Sequence, residues 1–484
     1  MVEILWFRQD LRLADQPAAS AAAAAGEVLP VYVWDEVSDG VRPPGGASRW
    51  WLMRSLAALD ADLRARGGRL LVLEGRAADV LASLARETGA RAIHATRQTE
   101  PWWAPIEAKL GGLLKLHGWP TLHPAGALVT KAGGPFRVFT PFWRAHVAKG
   151  APAAPCPAPG TMRFAPVPGG LAGRGVPRFS PRWAAGFDGV PGEAGARAAL
   201  AAFLPKVSAY AARRDFPAED ATSRLSAHLH FGEISPRACW HAVEGRDGAE
   251  AWQRQLVWRD FAHELIRQHP DSAEVPHRQA FAAMAWTDVE REPGRGWLEA
   301  WQAGRTGYPL VDAGMRQLWR TGWMHNRVRM VVGSFLVKHL GIDWRLGERW
   351  FWDTLTDADL PNNAMGWQWV TGCGVDAQPF HRIFAPVGQA ERFDAMGYIR
   401  RWAPEYRSVE PVDPIVEHGA ARAAALARLA AIRKEAGGAA ESVQAASNTL
   451  AGDAAAIDRE VAQFLASLRR DGDARRFERM PADL

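Results

Sequence analysis

Short apolar runs alternate with amphipathic stretches in the first quarter of the chain. The runs EILWF, VLPVYVW, RLLVLEG and RAIHAT are typical of buried strands, and SRWWLMRSLAALDADLRARG and AADVLASLARETG carry helical spacing. Right-handed crossovers between such strands produce an open, mostly parallel sheet with helices on both faces. We therefore expect a Rossmann-like α/β domain over residues 1–130.

The pattern changes twice after this domain. Residues 131–195 include KGAPAAPCPAPGTMRFAPVPGG, a Pro- and Gly-rich run without periodicity that predicts an extended interdomain connector. Long helical patterns such as EAWQRQLVWRDFAHELIRQHP and YPLVDAGMRQLWRTG dominate residues 196–436 and predict an all-helical domain. The Ala-rich residues 437–484 are expected to form a peripheral helix or a partly disordered tail.

The stretch from Trp344 to Trp369 is the part of the chain that most clearly indicates a ligand site. It reads WRLGERWFWDTLTDADLPNNAMGWQW and combines several tryptophans with spaced aspartates and an Asn-Asn pair. We expect it to begin as a helix and to end irregularly. So many aromatic and polar side chains together indicate the wall of a site for a large aromatic ligand, which we take to be a flavin.

Composition narrows the functional classes. The net charge of +5 and the sequence pI near 9.3 are in line with a polyanionic partner, but they are weak evidence alone. The 23 tryptophans are the anomaly, since indoles serve either packing or stacking and electron transfer. The 3 cysteines lack metal-ligand spacing, which favours a reducing compartment without a structural metal.

Targeting signals are missing from the sequence pattern. Met1 leads directly into EILWF, without the basic and apolar regions of a signal peptide. No run approaches the ~20 apolar residues of a membrane span. We expect a cytoplasmic protein without membrane contact.

The loop after the first strand carries charge in place of glycines. It reads WFRQDLRLADQPA and lacks GxGxxG, so a dinucleotide on the α/β domain is not supported. Arg8, Asp10 and Arg12 lie either in a ligand-facing loop or in a solvated turn.

Several segments of the helical half resemble the photolyase/cryptochrome family. They read RDFPAEDATSRLSAHLHFGEISPR, LVWRDF, GRTGYPLVDAGMRQLWRTGWMHNRVRM and DADLPNNAMGWQW, and the likeness runs from WFRQDLRL to PIVEH near Pro414. The resemblance implies an N-terminal α/β domain with an optional antenna pigment. It also implies a C-terminal helical domain that holds a U-shaped FAD, away from the sheet.

The resemblance also implies which residues contact FAD. The matches to the phosphate-binding positions are Tyr210, Thr222, Ser223, Leu225 and Ser226. Hydroxyls and backbone N–H groups at a helix start suit a pyrophosphate, although TSRLS alone would be a plain helix cap. Further matches are Arg259 and Arg329 near the cofactor, Asp357 as a partner of Arg329, Asp359 on the flavin or adenine side, and Asn363 facing the redox-active nitrogen.

By the same resemblance, Trp258 and Trp369 stack against a flipped-out pyrimidine dimer. Asn326 and Met330 stand where 6-4 photoproduct photolyases carry histidines, which favours the cyclobutane-dimer enzymes. Gln255 departs from their glutamate: an amide donates a hydrogen bond but supplies no proton.

Three arginines are candidates for contact with DNA. Arg327 matches a family arginine near the lesion and the backbone, and Arg214 and Arg382 are candidates for phosphate contact.

The implied electron path is incomplete. Trp367 and Trp344 match the first members of the family's tryptophan chain, but TDVEREPGRG has no tryptophan at the third position. Trp297 is the proposed substitute, with Trp319, Trp350 and Trp352 as further candidates.

One residue bears on the antenna. Glu100, in ATRQTEPWW, falls where folate-binding members hold the pterin, so 5,10-methenyltetrahydrofolate is the antenna expected.

Together these observations predict light-driven repair of cyclobutane pyrimidine dimers in UV-damaged DNA by a reduced-FAD enzyme, acting as a monomer. Two alternatives stay open. A cryptochrome-like photoreceptor would signal through the Ala-rich tail, and Gln255 favours 6-4 repair.

Overall fold

The computed structural model describes residues 1–171, 174–177, 181–377 and 383–432. The chain divides into two compact units, Met1–Ala425 and Leu426–Leu484. The features below belong to the first unit. Arg382 and the Ala-rich residues 437–484 lie outside the described residues, so the expectations placed on them stay predictions.

A five-stranded sheet in the order β3-β2-β1-β4-β5 organises the N-terminal part, and every pairing is parallel. Leu5 of the central strand is in register with Pro30 on one side and His94 on the other. The strands are β1 (Val2–Phe7), β2 (Glu27–Trp34), β3 (Leu71–Glu74), β4 (Ala92–Thr96) and β5 (Leu114–His117).

Helices cover both faces of this sheet, as its continuously apolar strands require. One face packs Leu5 and Phe7 into a buried cluster, and the other packs Ile4 and Trp6 into a second. The helices are α1 (Pro17–Ala25), α2 (Gly46–Arg64), α3 (Ala77–Thr88) and α4 (Trp103–Leu110). The predicted α/β domain is confirmed.

The predicted connector contains one helix, α5 (Phe139–Lys149), which packs on the helical half through Phe142 and Phe261, 5.3 Å between ring centroids. From Gly150 to Gly192 the described residues form two short 3-10 turns, and Phe164 makes an isolated parallel bridge to Val28 of β2.

The second half of the unit is helical, also as predicted. Its helices are α6 (Glu193–Phe203), α7 (Tyr210–Arg213), α8 (Ser226–His230), α9 (Pro236–Val243), α10 (Ala249–Gln268), α11 (Gly294–Ala303), α12 (Pro309–Thr321), α13 (Asn326–Ser334), α14 (Trp344–Thr354), α15 (Leu360–Thr371), α16 (Pro386–Arg392) and α17 (Met396–Trp402). None of the helices in the described ranges is long and apolar enough to span a membrane.

The prediction that the stretch 344–369 ends irregularly was wrong. It folds as two helices, α14 and α15, joined by a short turn. Asp359 caps α15 by accepting a hydrogen bond from Asn362 N (2.8 Å), and Pro361 stands in the first turn, where its missing N–H costs nothing. Asp359 and Pro361, an Asp two residues before a Pro, form a helix-start signal that was visible in the sequence. This signal prevails over the tendency of Asn362 and Asn363 to form a loop.

Hydrogen bonds between α2 and the end of α14 join the sheet domain to the helical half. Ser48 Oγ donates to Leu355 O (2.9 Å), and Gly46 N donates to Asp353 Oδ1 (2.8 Å). Leu11 N donates to Phe231 O (3.0 Å) on the other side. These contacts fix the helices that form the site described next.

Candidate functional site

A cavity of about 710 Å³ opens between the helices of the second half, within the usual range for a ligand site. The residues predicted from sequence that line it are Tyr210, Arg214, Thr222, Ser223, Leu225, Ser226, Gln255, Trp258, Arg259, Asn326, Arg327, Arg329, Met330, Asp357, Asp359, Asn363, Trp367 and Trp369. Segments far apart in the chain therefore converge on one space.

Arg329, which lines the cavity, pairs with Asp357 as expected. Arg329 donates from Nη1 to Asp357 Oδ1 (3.1 Å) and from Nη2 to Oδ2 (2.8 Å). Burial alone would raise the pKa of the Asp357 carboxyl, yet Arg329 and Ser226 hold it below its usual value. Asp357 is therefore a fixed anion under the cavity.

Arg259, another arginine that lines the cavity, has a side-chain N–H group that makes no hydrogen bond to the described residues. Arg259 Nη1 donates to Pro120 O (2.6 Å) and Nη2 to Leu229 O (3.4 Å), while its buried Nε has no partner among the described residues. A buried guanidinium N–H without an acceptor is costly, and an anionic ligand group would satisfy it.

Hydroxyls line the segment 222–226. The plain-cap alternative is not realised, because the N-cap residue of α8 is Leu225, which makes no side-chain cap bond. Arg224 adopts a φ of +52° and lays its guanidinium 4.5 Å from the Trp323 ring centroid. The hydroxyls of Thr222 and Ser223 remain at the cavity wall, where they suit phosphate oxygens.

Asn363 projects from the first turn of α15 into the cavity wall. Its Nδ2 donates to Glu348 O (3.0 Å) and to Glu348 Oε1 (2.8 Å). Both amide hydrogens are used, so Oδ1, an acceptor, is the part of the group left for a ligand.

Aromatic side chains line the opposite part of the cavity. Trp258 stacks on Phe139, with centroids 3.5 Å apart and planes at 7°. One indole face is covered by this stack, which leaves the other for a ligand. Trp369 of α15 also lines the cavity.

Gln255 donates from Nε2 to Ala251 O (3.2 Å) in the preceding helical turn, which occupies one of its donors. Its carbonyl and its second N–H remain for the cavity, together with Asn326 and Met330 of α13.

The arginines predicted to contact phosphates have protein partners. Arg327 Nη2 donates to Asp215 Oδ2 (2.7 Å), and its guanidinium lies 4.5 Å from the Phe393 ring centroid. Arg214 lies 5.2 Å from the Tyr210 ring centroid. Both line the cavity wall, and their role toward DNA stays a prediction.

Trp367 links the cavity to the aromatic core. Its ring lies 5.0 Å from Phe351 and 6.3 Å from Trp301, and Trp344 is buried in the same cluster. Trp297, partly buried, packs against this cluster. Neither Trp344 nor Trp297 lines the cavity, so the path through them stays a prediction.

The other exit candidates differ in exposure. Trp319 is 56% exposed and stacks on Trp350, with centroids 6.0 Å apart. Trp352 donates from Nε1 to Pro43 O (2.9 Å) and packs against the protein core.

Glu100 is buried at 5% exposure, after β4, and receives a hydrogen bond from Thr99 N (3.2 Å). Burial raises the pKa of its carboxyl, Asp359 adds to the rise, and Arg259 opposes it. Those two residues line the cavity of the helical half, so Glu100 is electrostatically coupled to that cavity. Its antenna role gains no support here.

The charged loop after β1 is buried. Arg8 donates from Nη1 to Glu107 Oε1 (2.7 Å), and its guanidinium lies between the rings of Trp6 and Trp103 (4.6 and 4.7 Å to their centroids). The solvated-turn alternative is wrong, since Arg8, Asp10 and Arg12 are at most 7% exposed.

Comparison with known proteins decides the family. A family model described as DNA photolyase matches residues 3–160, and one described as FAD binding domain of DNA photolyase matches residues 252–432. The chain is 43% identical to a deoxyribodipyrimidine photo-lyase of Agrobacterium fabrum, over 89% of this chain and 98% of that protein. The chain belongs to the DNA photolyase family.

Two further likenesses bear on the DNA photolyase family assignment. The crystal structure of a bacterial class III photolyase from Agrobacterium tumefaciens superposes with a TM-score of 0.81, at 41% identity, and covers 89% of this chain and 98% of that one. Cryptochrome-1 of Arabidopsis thaliana is 35% identical over 83% of this chain, but only 62% of that protein is covered.

Sequence reasoning missed three residues that shape this photolyase-family site: Phe139 beneath Trp258, Trp301 beside Trp367, and Glu348 beneath Asn363. Phe139 and Trp301 act across a long separation in sequence, whereas Glu348 lies only 15 residues before Asn363. Only Glu348 carried a local signal, as a carboxylate on the apolar face of α14. In the described ranges no group of three or more His, Cys, Asp or Glu side chains could hold a metal ion.

Proposed function

We propose that the chain is a light-dependent DNA repair enzyme, a deoxyribodipyrimidine photo-lyase that splits cyclobutane pyrimidine dimers. The observation that carries the proposal is the shared cavity. The residues that suit a flavin cofactor and those that suit a lesion base line the same space.

The cofactor side fits FAD. Arg259 offers a buried guanidinium N–H without a partner, and Thr222 and Ser223 offer hydroxyls, which together suit the diphosphate. The Arg329–Asp357 pair supplies fixed charges, and Asn363 supplies an oriented acceptor. When bound and reduced, FAD supplies the photoexcited electron.

The lesion side is built for stacked bases. Trp258, backed by Phe139, and Trp369 offer two platforms for a flipped-out dimer, each base worth about 1–3 kcal/mol. A dimer costs less to extrude than an intact pair, which gives selectivity. Gln255 supplies an amide to the cavity lining, and Arg214 and Arg327, which also line the cavity, are the proposed contacts to phosphates.

The test is a lesion assay. Purified, FAD-loaded, reduced protein is illuminated with blue light in the presence of oligonucleotides that carry either a cyclobutane dimer or a 6-4 photoproduct, with dark samples as controls. We expect loss of the cyclobutane dimer alone, in the light alone. Loss of the 6-4 product instead would overturn the lesion assignment.

A cryptochrome-like photoreceptor is the second candidate, favoured by the 35% identity to Cryptochrome-1. It predicts that neither lesion is repaired while the bound flavin is still photoreduced. Trp258, Trp369, Asn326 and Met330, which all line the cavity, favour repair.

Further proposals complete the account. We propose that electrons reach the site through Trp367 and Trp344, with Trp297 as the outer member, and that 5,10-methenyltetrahydrofolate is the antenna. We also propose that the protein acts as a monomer in the cytoplasm.

A further inference from the structure

A buried carboxylate joins the two halves of the unit directly behind the cavity. Glu348 of α14 is fully buried, and Arg42, from the loop between β2 and α2, donates Nη1 to its Oε1 and Nη2 to its Oε2, both at 2.7 Å. Such a forked pair is the strongest arrangement available to an arginine and a carboxylate.

The loop that carries Arg42 is held tightly against α14. The Arg42 guanidinium lies 4.0 Å from the Trp352 ring centroid, and Trp352 Nε1 donates to Pro43 O (2.9 Å). A side chain at Gly45 would place its Cβ 2.2 Å from Trp352 O, so the close approach requires glycine. The geometry of the pair is therefore fixed by the surrounding packing.

The same carboxylate oxygen also orients Asn363. Glu348 Oε1 accepts from Arg42 and from Asn363 Nδ2 (2.8 Å), while Glu348 O takes the second amide hydrogen (3.0 Å). Asn363 can present only its Oδ1 to the cavity as long as this network holds.

We propose that Arg42 is a positioning residue of the flavin site, which acts through Glu348 to fix the orientation of the Asn363 amide and thereby the redox potential of the cofactor. The inference rests on the proposed function, since it assumes FAD in the cavity. An oxygen acceptor stabilises the form of the ring that carries hydrogen on nitrogen, which is the reduced form.

Loss of Arg42 acts on the potential through the Asn363 amide. Glu348 loses the two hydrogen bonds that fix the position of its carboxyl group. The Asn363 amide is then free to turn its N–H toward the ring, which favours the oxidised form. This change lowers the potential of bound FAD for the two-electron, proton-coupled reduction by an external reductant such as dithionite.

The experiment compares Arg42→Gln with Arg237→Gln. Arg237 also forms a forked pair across the two halves, to Asp15 (2.6 and 3.2 Å), with 21% and 3% side-chain exposure against 24% and 0% for the Arg42 pair. It does not line the cavity. Both variants therefore remove a forked pair between the two halves, and only the Arg42 pair is linked to Asn363, through Glu348.

We expect Arg42→Gln to lower the ratio of reduced to oxidised FAD at a fixed applied potential about tenfold, roughly 30 mV for this couple. Arg237→Gln should leave the ratio unchanged, and Arg42→Lys should restore part of it, because lysine makes one of the two bonds. If Arg42→Gln fails to retain FAD, the lysine variant is titrated instead and should lie below the wild type.

Equal potentials in wild type, Arg42→Gln and Arg42→Lys would overturn the inference, while repair by the wild type would leave the proposed function standing. A wild-type protein that binds no FAD would overturn both.

Discussion

Trp258 stacks on Phe139 and lines the cavity, so its removal tests the proposed stacking platform for the lesion. We expect Trp258→Ala to weaken binding of dimer-containing DNA by about 1–3 kcal/mol, the value of one stacked base. Affinity for undamaged duplex should change little. Fluorescence anisotropy with matched damaged and undamaged oligonucleotides measures both.

The control is Trp319→Ala, which removes a tryptophan that is 56% exposed and does not line the cavity. Equal losses for the two variants would contradict the assignment of Trp258 as a platform.

Gln255 Nε2 donates one of its two amide hydrogens to Ala251 O, so a single neutral amide N–H remains as a donor for the lesion. Gln255→Glu, protonated in the complex, would offer a stronger donor. A hydrogen bond worth about 1 kcal/mol changes competing rates about fivefold, so the yield of repaired dimers per absorbed photon should rise. An unchanged yield, measured with the same oligonucleotide, would mean that Gln255 does not limit repair.

Local motifs made it possible to predict which residues lie together in the cavity. The Arg329–Asp357 pair and the residues around Asn363 lie in short, distinctive segments, and the structure brings them together. Phe139 could not have been found in this way, because its stack with Trp258 joins residues more than a hundred positions apart. Such contacts depend on the tertiary path of the chain, which periodicity does not encode.

At the scale of elements, α14 and α15 meet at a glycine. A Cβ at Gly347 would lie 2.2 Å from Trp367 Cη2 and 2.7 Å from Leu336 Cδ2, so Gly347→Ala must displace the tryptophan ring. We expect a loss of about 1–3 kcal/mol in the free energy of unfolding, typical of overpacking. Photoreduction of bound flavin should slow as well. Urea denaturation and transient absorption measure the two effects.

Gly366→Ala on α15 is the matched control, since nothing lies within 4 Å of a Cβ at that position. It should raise stability by up to about 1 kcal/mol through helix propensity. A Gly347→Ala variant as stable as this control would show that the α14–α15 contact tolerates adjustment.

Element boundaries followed local signals where these existed. The first four strands of the sheet and the long helices α10 and α12 were predicted from periodicity alone, whereas the short edge strand β5 was not predicted. The second helix of the stretch 344–369 was missed because its apolar face is interrupted by cavity-lining polar residues such as Asn362 and Asn363. A helix wall that serves a ligand loses the pattern that would reveal it.

The whole molecule carries buried neutral histidines that make it sensitive to acid. His146 is fully buried with both ring nitrogens unpartnered in the described part of the chain, and burial lowers its pKa to about 4. The unfolded state binds a proton below pH 6.5 and the folded state does not, so stability falls as pH drops from 6.5 toward 4. The slope is roughly 1.4 kcal/mol per pH unit for each such group.

We therefore expect His146→Phe to flatten the dependence of unfolding free energy on pH between 6.5 and 4. His241→Phe is the control: despite partial burial, Glu244 raises the pKa of His241, so this variant should not flatten the curve. An unchanged slope in His146→Phe would mean that the ring is protonated in the folded state.

The central claim is that one cavity holds both the cofactor and the flipped lesion. Its most direct test is the fluorescence lifetime of bound, reduced FAD, measured with and without a dimer-containing oligonucleotide. The account predicts strong shortening by the dimer, no shortening by undamaged DNA, and loss of the effect in a Trp258→Ala, Trp369→Ala double variant that still binds FAD. An unchanged lifetime with the dimer bound would contradict the account, because electron transfer across a shared cavity must quench the flavin.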